Sequence, residues 1–139
     1  MTPTAALKLL IADDHAEFRQ TLGAMLSPVA GEIREAANGA EAVRIFAEQQ
    51  PDWVIMDIQM KPVGGLAATR EIRRRFPDAR IVIVTQYDDA ELRAEAAEAG
   101  ACAYLLKDQL ESLRQRLMSE MGTGRTAVAD ASSPRQQPN

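Results

Sequence analysis

Five residues with chemical potential each follow a short apolar run. Asp13 and Asp14 follow KLLIA, Asp57 follows WVIM, Thr85 follows IVIV, and Lys107 follows ACAYLL. Three carboxylates gathered at one point repel one another at neutral pH and need a cation. Hard oxygen donors suit Mg2+, which takes one or two protein carboxylates and fills its octahedron with waters and phosphate oxygens. A carboxylate beside such a cation is also a nucleophile toward phosphorus and forms an acyl phosphate. The Lys107 ammonium would neutralise charge on the phosphoryl oxygens, and the Thr85 hydroxyl would hydrogen-bond one of them.

Taken singly, each residue has a plainer role. Asp14 suits the N-cap of a helix, Asp57 a turn, and Thr85 a β-branched strand position. Lys107 is harder to place, because the helix after it presents a positive dipole end that disfavours a cation. Lysine is also sparse, at positions 8, 61 and 107 only. The chemistry exists only if the fold brings the five together.

The elements that would do so alternate along the chain. The apolar runs are Lys8–Ala12, Glu32–Ala36, Trp53–Met56, Ile81–Val84 and Ala101–Leu106. WVIM, IVIV and ACAYLL have no polar face, as expected of strands covered by helices on both sides. Between them, apolar residues recur at helical spacing: Phe18, Leu22, Met25, Leu26 and Val29; Ala68, Ile72 and Phe76; Leu110, Leu113, Leu117 and Met121. D-x-x-E capping boxes at Asp14/Glu17, Asp88/Glu91 and Asp108/Glu111 mark helix starts. The pattern is (βα)5, and right-handed crossovers make it an α/β, doubly wound parallel sheet. Ligands of such sheets bind beyond the carboxyl ends of the strands, where all five residues fall. The second strand ends in Ala36-Ala37 and offers no chemistry.

Composition narrows the classes. At 139 residues the chain suits one domain, expected over 7–121, with a disordered polar tail or linker over 122–139 where the apolar period stops. A net charge of −4 with no basic face argues against direct nucleic-acid binding. No apolar run approaches the roughly 20 residues that span a bilayer, and the start lacks the pattern of a signal peptide. The single cysteine, Cys102, allows no internal disulfide and suits a reducing compartment, hence a cytoplasmic placement.

With these residues in register, the sequence resembles the receiver domain of two-component response regulators. The match lies in IADDH, VIMDIQM, IVIVTQYDD and the YLLK stretch. The resemblance implies a flavodoxin-like fold with strand order 2-1-3-4-5. It implies that Asp57 accepts a phosphoryl group from a histidine kinase's phosphohistidine, with Mg2+ held by Asp14, Asp57 and the Gln59 backbone carbonyl, and by Asp13 through water. Thr85 and Tyr104 would report phosphorylation by remodelling the helix 4–strand 5–helix 5 face, and Lys107 would bind the phosphoryl group. That face would meet a downstream protein partner or a second copy of the chain. The Lys107-Asp108 pair is similar to the subclass with LuxR-type helix-turn-helix outputs.

Two departures bear on the site. Met60 is followed by Lys61 rather than proline, with Pro62 one position late, so a locally altered loop around an intact site is expected. Gln86 follows the threonine where a small residue is usual, and would crowd the entrance to Asp57. Other conspicuous residues have structural readings: His15 exposed and inert, Cys102 and Trp53 in the core, and Arg73–Arg75 on a solvated helix face.

Rival functions fit less well. A phosphatase with an aspartate nucleophile needs a second aspartate two residues on as general acid, and that position is Gln59. The expectation is thus a phosphoacceptor, assisting its own Mg2+-dependent phosphorylation and dephosphorylation, rather than a turnover enzyme. A dinucleotide or flavin binder would place a glycine-rich phosphate loop where Asp13-Asp14 stand. A phosphorylation-independent pseudo-receiver should lack one of the acidic or lysine positions. The remaining expectation is a single-domain regulator, with the alternative of a receiver fragment from a longer DNA-binding regulator.

Overall fold

The fold is taken from a computed structural model, which describes residues 7–123. The expected tail over 122–139 lies outside the described residues from 124 onward. Five strands, β1 (Leu7–Ala12), β2 (Ala30–Ala36), β3 (Trp53–Met56), β4 (Ile81–Thr85) and β5 (Ala103–Leu106), alternate with five helices. These are α1 (Ala16–Leu26), α2 (Gly39–Gln49), α3 (Gly65–Arg75), α4 (Ala90–Ala99) and α5 (Leu110–Thr123). All pairings are parallel, in the order β2-β1-β3-β4-β5. The expected (βα)5 sheet and its strand order are both present.

Strand pleating divides the core in two. Leu10, Ala12, Val54, Met56, Ile81 and Ile83 face α2, α3 and α4, meeting Phe46, Ala68, Ile72 and Ala96. Their neighbours Leu9, Ile11, Trp53, Ile55, Val82 and Val84 face α1 and α5, meeting Leu22, Leu26, Leu113 and Leu117. β3 and β4 are buried along their whole length, which explains why WVIM and IVIV show no polar face. ACAYLL shows none either, yet β5 is an edge strand, shorter than expected and half-buried throughout. The apolar run overstated its burial because an edge strand has only one sheet neighbour. Cys102 stands outside β5 and is exposed rather than in the core, with its sulfur 3.3 Å from the Ile81 carbonyl.

The helix starts correct three expectations. α1 begins at a His15 N-cap without a side-chain capping bond, so Asp14 does not cap it. α4 is capped by Asp89, whose Oδ1 accepts the Leu92 N–H at 3.0 Å, while Asp88 pairs with Arg93. α5 starts at Leu110, and Gln109 rather than Asp108 turns its side chain onto the preceding backbone, accepting the Leu106 N–H at 2.8 Å. At α1 the Asp14 carboxylate is engaged instead with His15 in the cluster at the strand ends. α2, by contrast, is capped by Asn38.

Arg73 is not simply a solvated side chain. Its Nη1 donates to the carbonyls of Pro77 and Ala79, tying the end of α3 to the approach of β4. Arg74 pairs with Glu71, and Arg75 stacks on Phe76.

α3 starts close beneath β3. A Cβ on Gly65 would lie 1.9 Å from the Asp57 carbonyl oxygen, an approach that only glycine permits. The Gly65 N–H donates to the Ile58 carbonyl at 3.0 Å and holds the β3–α3 loop at this spacing. Gly65→Ala is therefore expected to lower the unfolding free energy by about 1–3 kcal/mol, as overpacking does. Urea denaturation of the two proteins measures this, and equal midpoints would refute the contact.

Candidate functional site: an acidic cluster at the strand ends

The carboxyl ends of β1 and β3 lie side by side, tied by the Asp57 N–H donating to the Ala12 carbonyl at 2.9 Å. The Asp13 N–H donates to Ala36 at 3.0 Å, which fixes the same turn to β2. Parallel pairing thereby gathers Asp13, Asp14 and Asp57, with His15, so that one ligand-capable atom from each lies within 4.8 Å of the others. Asp13 and Asp57 are buried, whereas Asp14 is exposed toward solvent.

Lys107 enters from the end of β5, where its backbone N–H donates to the Thr85 carbonyl at 2.8 Å. Its Nζ stands 2.9 Å from Asp13 Oδ2, an ion pair without hydrogen-bond alignment. The same ammonium lies 4.3 Å from the centre of the Phe18 ring on α1, a cation–π contact. Phe18 thus belongs to the site as well as to the apolar face of α1. Lys107 overcomes the unfavourable helix end because Asp13 and Phe18 stabilise its charge.

Asp57 carries the electrostatic signature. Burial first, and the Asp13 charge second, push its carboxyl from the ordinary 3.8 up to about 6, while Lys107 and the Gln59 N–H pull it down. Such a carboxylate is poorly solvated and crowded by like charge, conditions that favour a bound cation. The donor set fits one. Oxygens from Asp13, Asp14 and Asp57 converge, one edge is open at Asp14, and the Gln59 backbone adjoins Asp57.

Thr85 is fully buried at the end of β4, and its Oγ1 accepts the Tyr87 N–H at 3.3 Å. Tyr104 stands apart from the cluster on β5. Its hydroxyl donates to the Tyr87 carbonyl at 2.6 Å, and its ring lies 4.4 Å beneath the Arg93 guanidinium. Gln86 is exposed, directs Nε2 to the Tyr87 hydroxyl at 3.2 Å, and shares a shallow depression with Leu106, Lys107 and Asp108. Lys61 is exposed in the β3–α3 loop and precedes a cis Pro62.

Two further residues of this neighbourhood, besides Phe18, escaped the sequence reading. Arg19 donates from Nη1 to the Asp13 carbonyl at 2.5 Å and pairs through Nε with Glu35 at 2.7 Å. Its position in the first turn of α1 carried no signal beyond an ordinary helix charge. His15, read as inert, places Nδ1 3.1 Å from Asp13 Oδ1 and 3.0 Å from Asp14 Oδ1. Its adjacency to the acidic pair was the available clue.

Residues 9–118 match the family model described as the response regulator receiver domain. The chain belongs to the response regulator receiver family. The receiver is 39% identical over 104 residues to the transcriptional regulatory protein YhcZ of Bacillus subtilis, covering 73% of this chain and 49% of that protein. It is 38% identical over 103 residues to LiaR of the same organism, with the same coverage. The chain thus spans about half the length of these curated relatives. A LuxR-family response regulator from Aurantimonas superposes with a TM-score of 0.78 at 31% identity, covering 85% of this chain and 86% of that one. The expected LuxR-type kinship and flavodoxin-like receiver fold are both shown. Among the described residues no helix is long and apolar enough to cross a membrane.

The Asp57 shift has a definite pH consequence. The folded receiver holds this proton more tightly than the unfolded chain, so the associated stability is complete below about 3.8 and is lost as pH rises through about 6. Asp57→Asn keeps the shape and removes the titration. Without divalent cations it should be more stable than wild type by about 2 kcal/mol at pH 8, with the gain vanishing near pH 4. Denaturant titrations across this range in chelator give the comparison, and a pH-independent difference would contradict it.

Proposed function

We propose that the receiver is a phosphoacceptor: Asp57 takes a phosphoryl group from the phosphohistidine of a histidine kinase and thereby changes the α4–β5–α5 face. The observation that supports this best is the buried, crowded Asp57 carboxyl at the end of β3, with one ammonium within the same cluster. Asp13, Asp14, Asp57 and the Gln59 backbone carbonyl would hold Mg2+. When bound, this ion neutralises the carboxylates and the oxygens of the incoming phosphoryl group.

The chain's own residues do the rest. An Asp57 oxygen attacks phosphorus, the N–P bond of the donor breaks, and its electron pair returns to the imidazole, which takes up a proton. Lys107 leaves Asp13 for a phosphoryl oxygen, a move its flexible stem permits. Thr85 turns its hydroxyl from the Tyr87 N–H to another oxygen. Tyr87 is also the residue whose carbonyl holds Tyr104, so releasing one hydrogen bond disturbs the other. Gln86, which shares a depression with Lys107, and Lys61, in the β3–α3 loop, modulate access and phosphoryl lifetime. Without an aspartate at position 59 as general acid, the acyl phosphate persists, which suits a signal rather than turnover.

The partner is a cytoplasmic histidine kinase domain, and the readout is a protein contact or self-association. The chain as given acts without binding DNA itself. A second reading is favoured by relatives of which the chain spans only about half and which are named transcriptional regulatory proteins: the receiver would then govern a DNA-binding module.

Incubation with Mg2+ and acetyl phosphate, or with a phosphorylated histidine kinase, followed by intact-mass measurement, tests the central claim. One phosphate adduct is expected on wild type and none on Asp57→Asn. Chelation of the divalent cation should slow adduct formation by at least about tenfold. No adduct from either donor would overturn the proposal, and an adduct on Asp57→Asn would move the site.

A further inference from the structure

His15 supplies the one nitrogen in a set of oxygen donors. Its Nδ1 lies 3.1 Å from Asp13 Oδ1 and 3.0 Å from Asp14 Oδ1, in the group whose ligand atoms fall within 4.8 Å of one another. Neighbouring ligands of an octahedral cation with bonds of about 2.1 Å stand about 3.0 Å apart. The imidazole nitrogen already stands at this separation from each of the two oxygens, held there by its own N–H, and a cation binds by displacing that proton. The backbone helps, since the His15 N–H donates to Asp13 Oδ1 at 2.8 Å and fixes the ring's point of attachment at the start of α1. Asp13 is divided between partners: Oδ2 faces Lys107, and Oδ1 faces His15. The His15 side chain is 68% exposed, so a cation reaches it from solvent.

We infer that His15 is a metal ligand through Nδ1, and that it gives this site a preference for borderline first-row cations such as Ni2+ and Zn2+ over Mg2+. The inference rests on the acidic cluster being the cation site proposed above, and it names the cation class that the cluster accepts. Mg2+ is hard and gains little from imidazole. Imidazole suits Ni2+ and Zn2+, and affinity for mixed nitrogen and oxygen sets rises along the first row toward copper. Ligation needs the tautomer with its proton on Nε2, which is the nitrogen left free of the carboxylates. A transition cation held here shares its carboxylates with Mg2+ and competes for the phosphoacceptor site. The receiver would thereby respond to transition-metal level as well as to its kinase.

Calorimetric titration of the untagged chain with NiCl2, ZnCl2 and MgCl2 at one fixed pH near 7 tests this on wild type, His15→Ala and Asp57→Asn. His15→Ala is expected to weaken Ni2+ and Zn2+ by roughly tenfold or more, given what even outer-shell partners contribute. Mg2+ affinity should change by less than about twofold. Because His15 is the only histidine, a Zn2+-induced shift of an imidazole 15N resonance is assigned to it without ambiguity. Equal Ni2+ affinity in wild type and His15→Ala overturns the inference. So does an equal loss of Mg2+, which would make His15 a support for the carboxylates instead. Zn2+ binding that survives in both variants, with no imidazole shift, overturns it in favour of the Cys102 thiol. Absence of Mg2+ binding in wild type overturns the Mg2+ reading of the cluster by itself, since His15-dependent Ni2+ binding would still uphold the ligand assignment.

Discussion

Burying a carboxylate next to two others is the constraint on which the rest of this structure depends. Asp57 sits at the end of a strand with no solvent on either face, and its charge is opposed by both the apolar surroundings and Asp13. Such a group stays in place only because the chain around it is fixed. The parallel ladder sets the strand ends level, Gly65 lets α3 pass beneath the Asp57 carbonyl, and Arg19 braces the Asp13 carbonyl against Glu35. Lys107 offsets part of the repulsion from the one side that remains, and it is steadied there by Phe18.

The same economy ties the strand ends to the surface. Tyr87 accepts a hydrogen bond from Tyr104 and donates one to Thr85, while its own hydroxyl meets Gln86. Three residues that the sequence singles out separately therefore converge on one exposed tyrosine. Arg93 reaches over from α4, stacks on the Tyr104 ring and pairs with Asp88. The α4 start, the β4–α4 loop and β5 thus form one polar assembly on the surface, in contrast to the apolar packing beneath.

Strand identity was legible because a doubly covered sheet imposes long apolar runs, strand order was implied by the resemblance to receiver domains, and the cluster was legible because strand ends coincide. The burial of β5 was not, since an apolar run carries no mark of being at an edge. Helix starts slipped by one residue at α1 and α4, where two adjacent candidates competed and a tertiary partner chose between them. Asp14 is drawn to the cluster, and Asp88 to Arg93. His15 and Arg19 were missed for a related reason. Both act through contacts across a turn or between elements, and residue type alone does not announce these. Cys102 was misplaced because its small apolar neighbours suggested a strand that begins only at Ala103.

β3 and β4 are buried on both faces, while β5 is half-exposed along its length. Asp57 stands at the end of a doubly covered central strand, and Tyr104 stands on the half-buried rim. In the proposed function, the phosphoryl donor meets the doubly covered centre and the readout leaves from the rim, with β4 alone between the two strands of a single sheet.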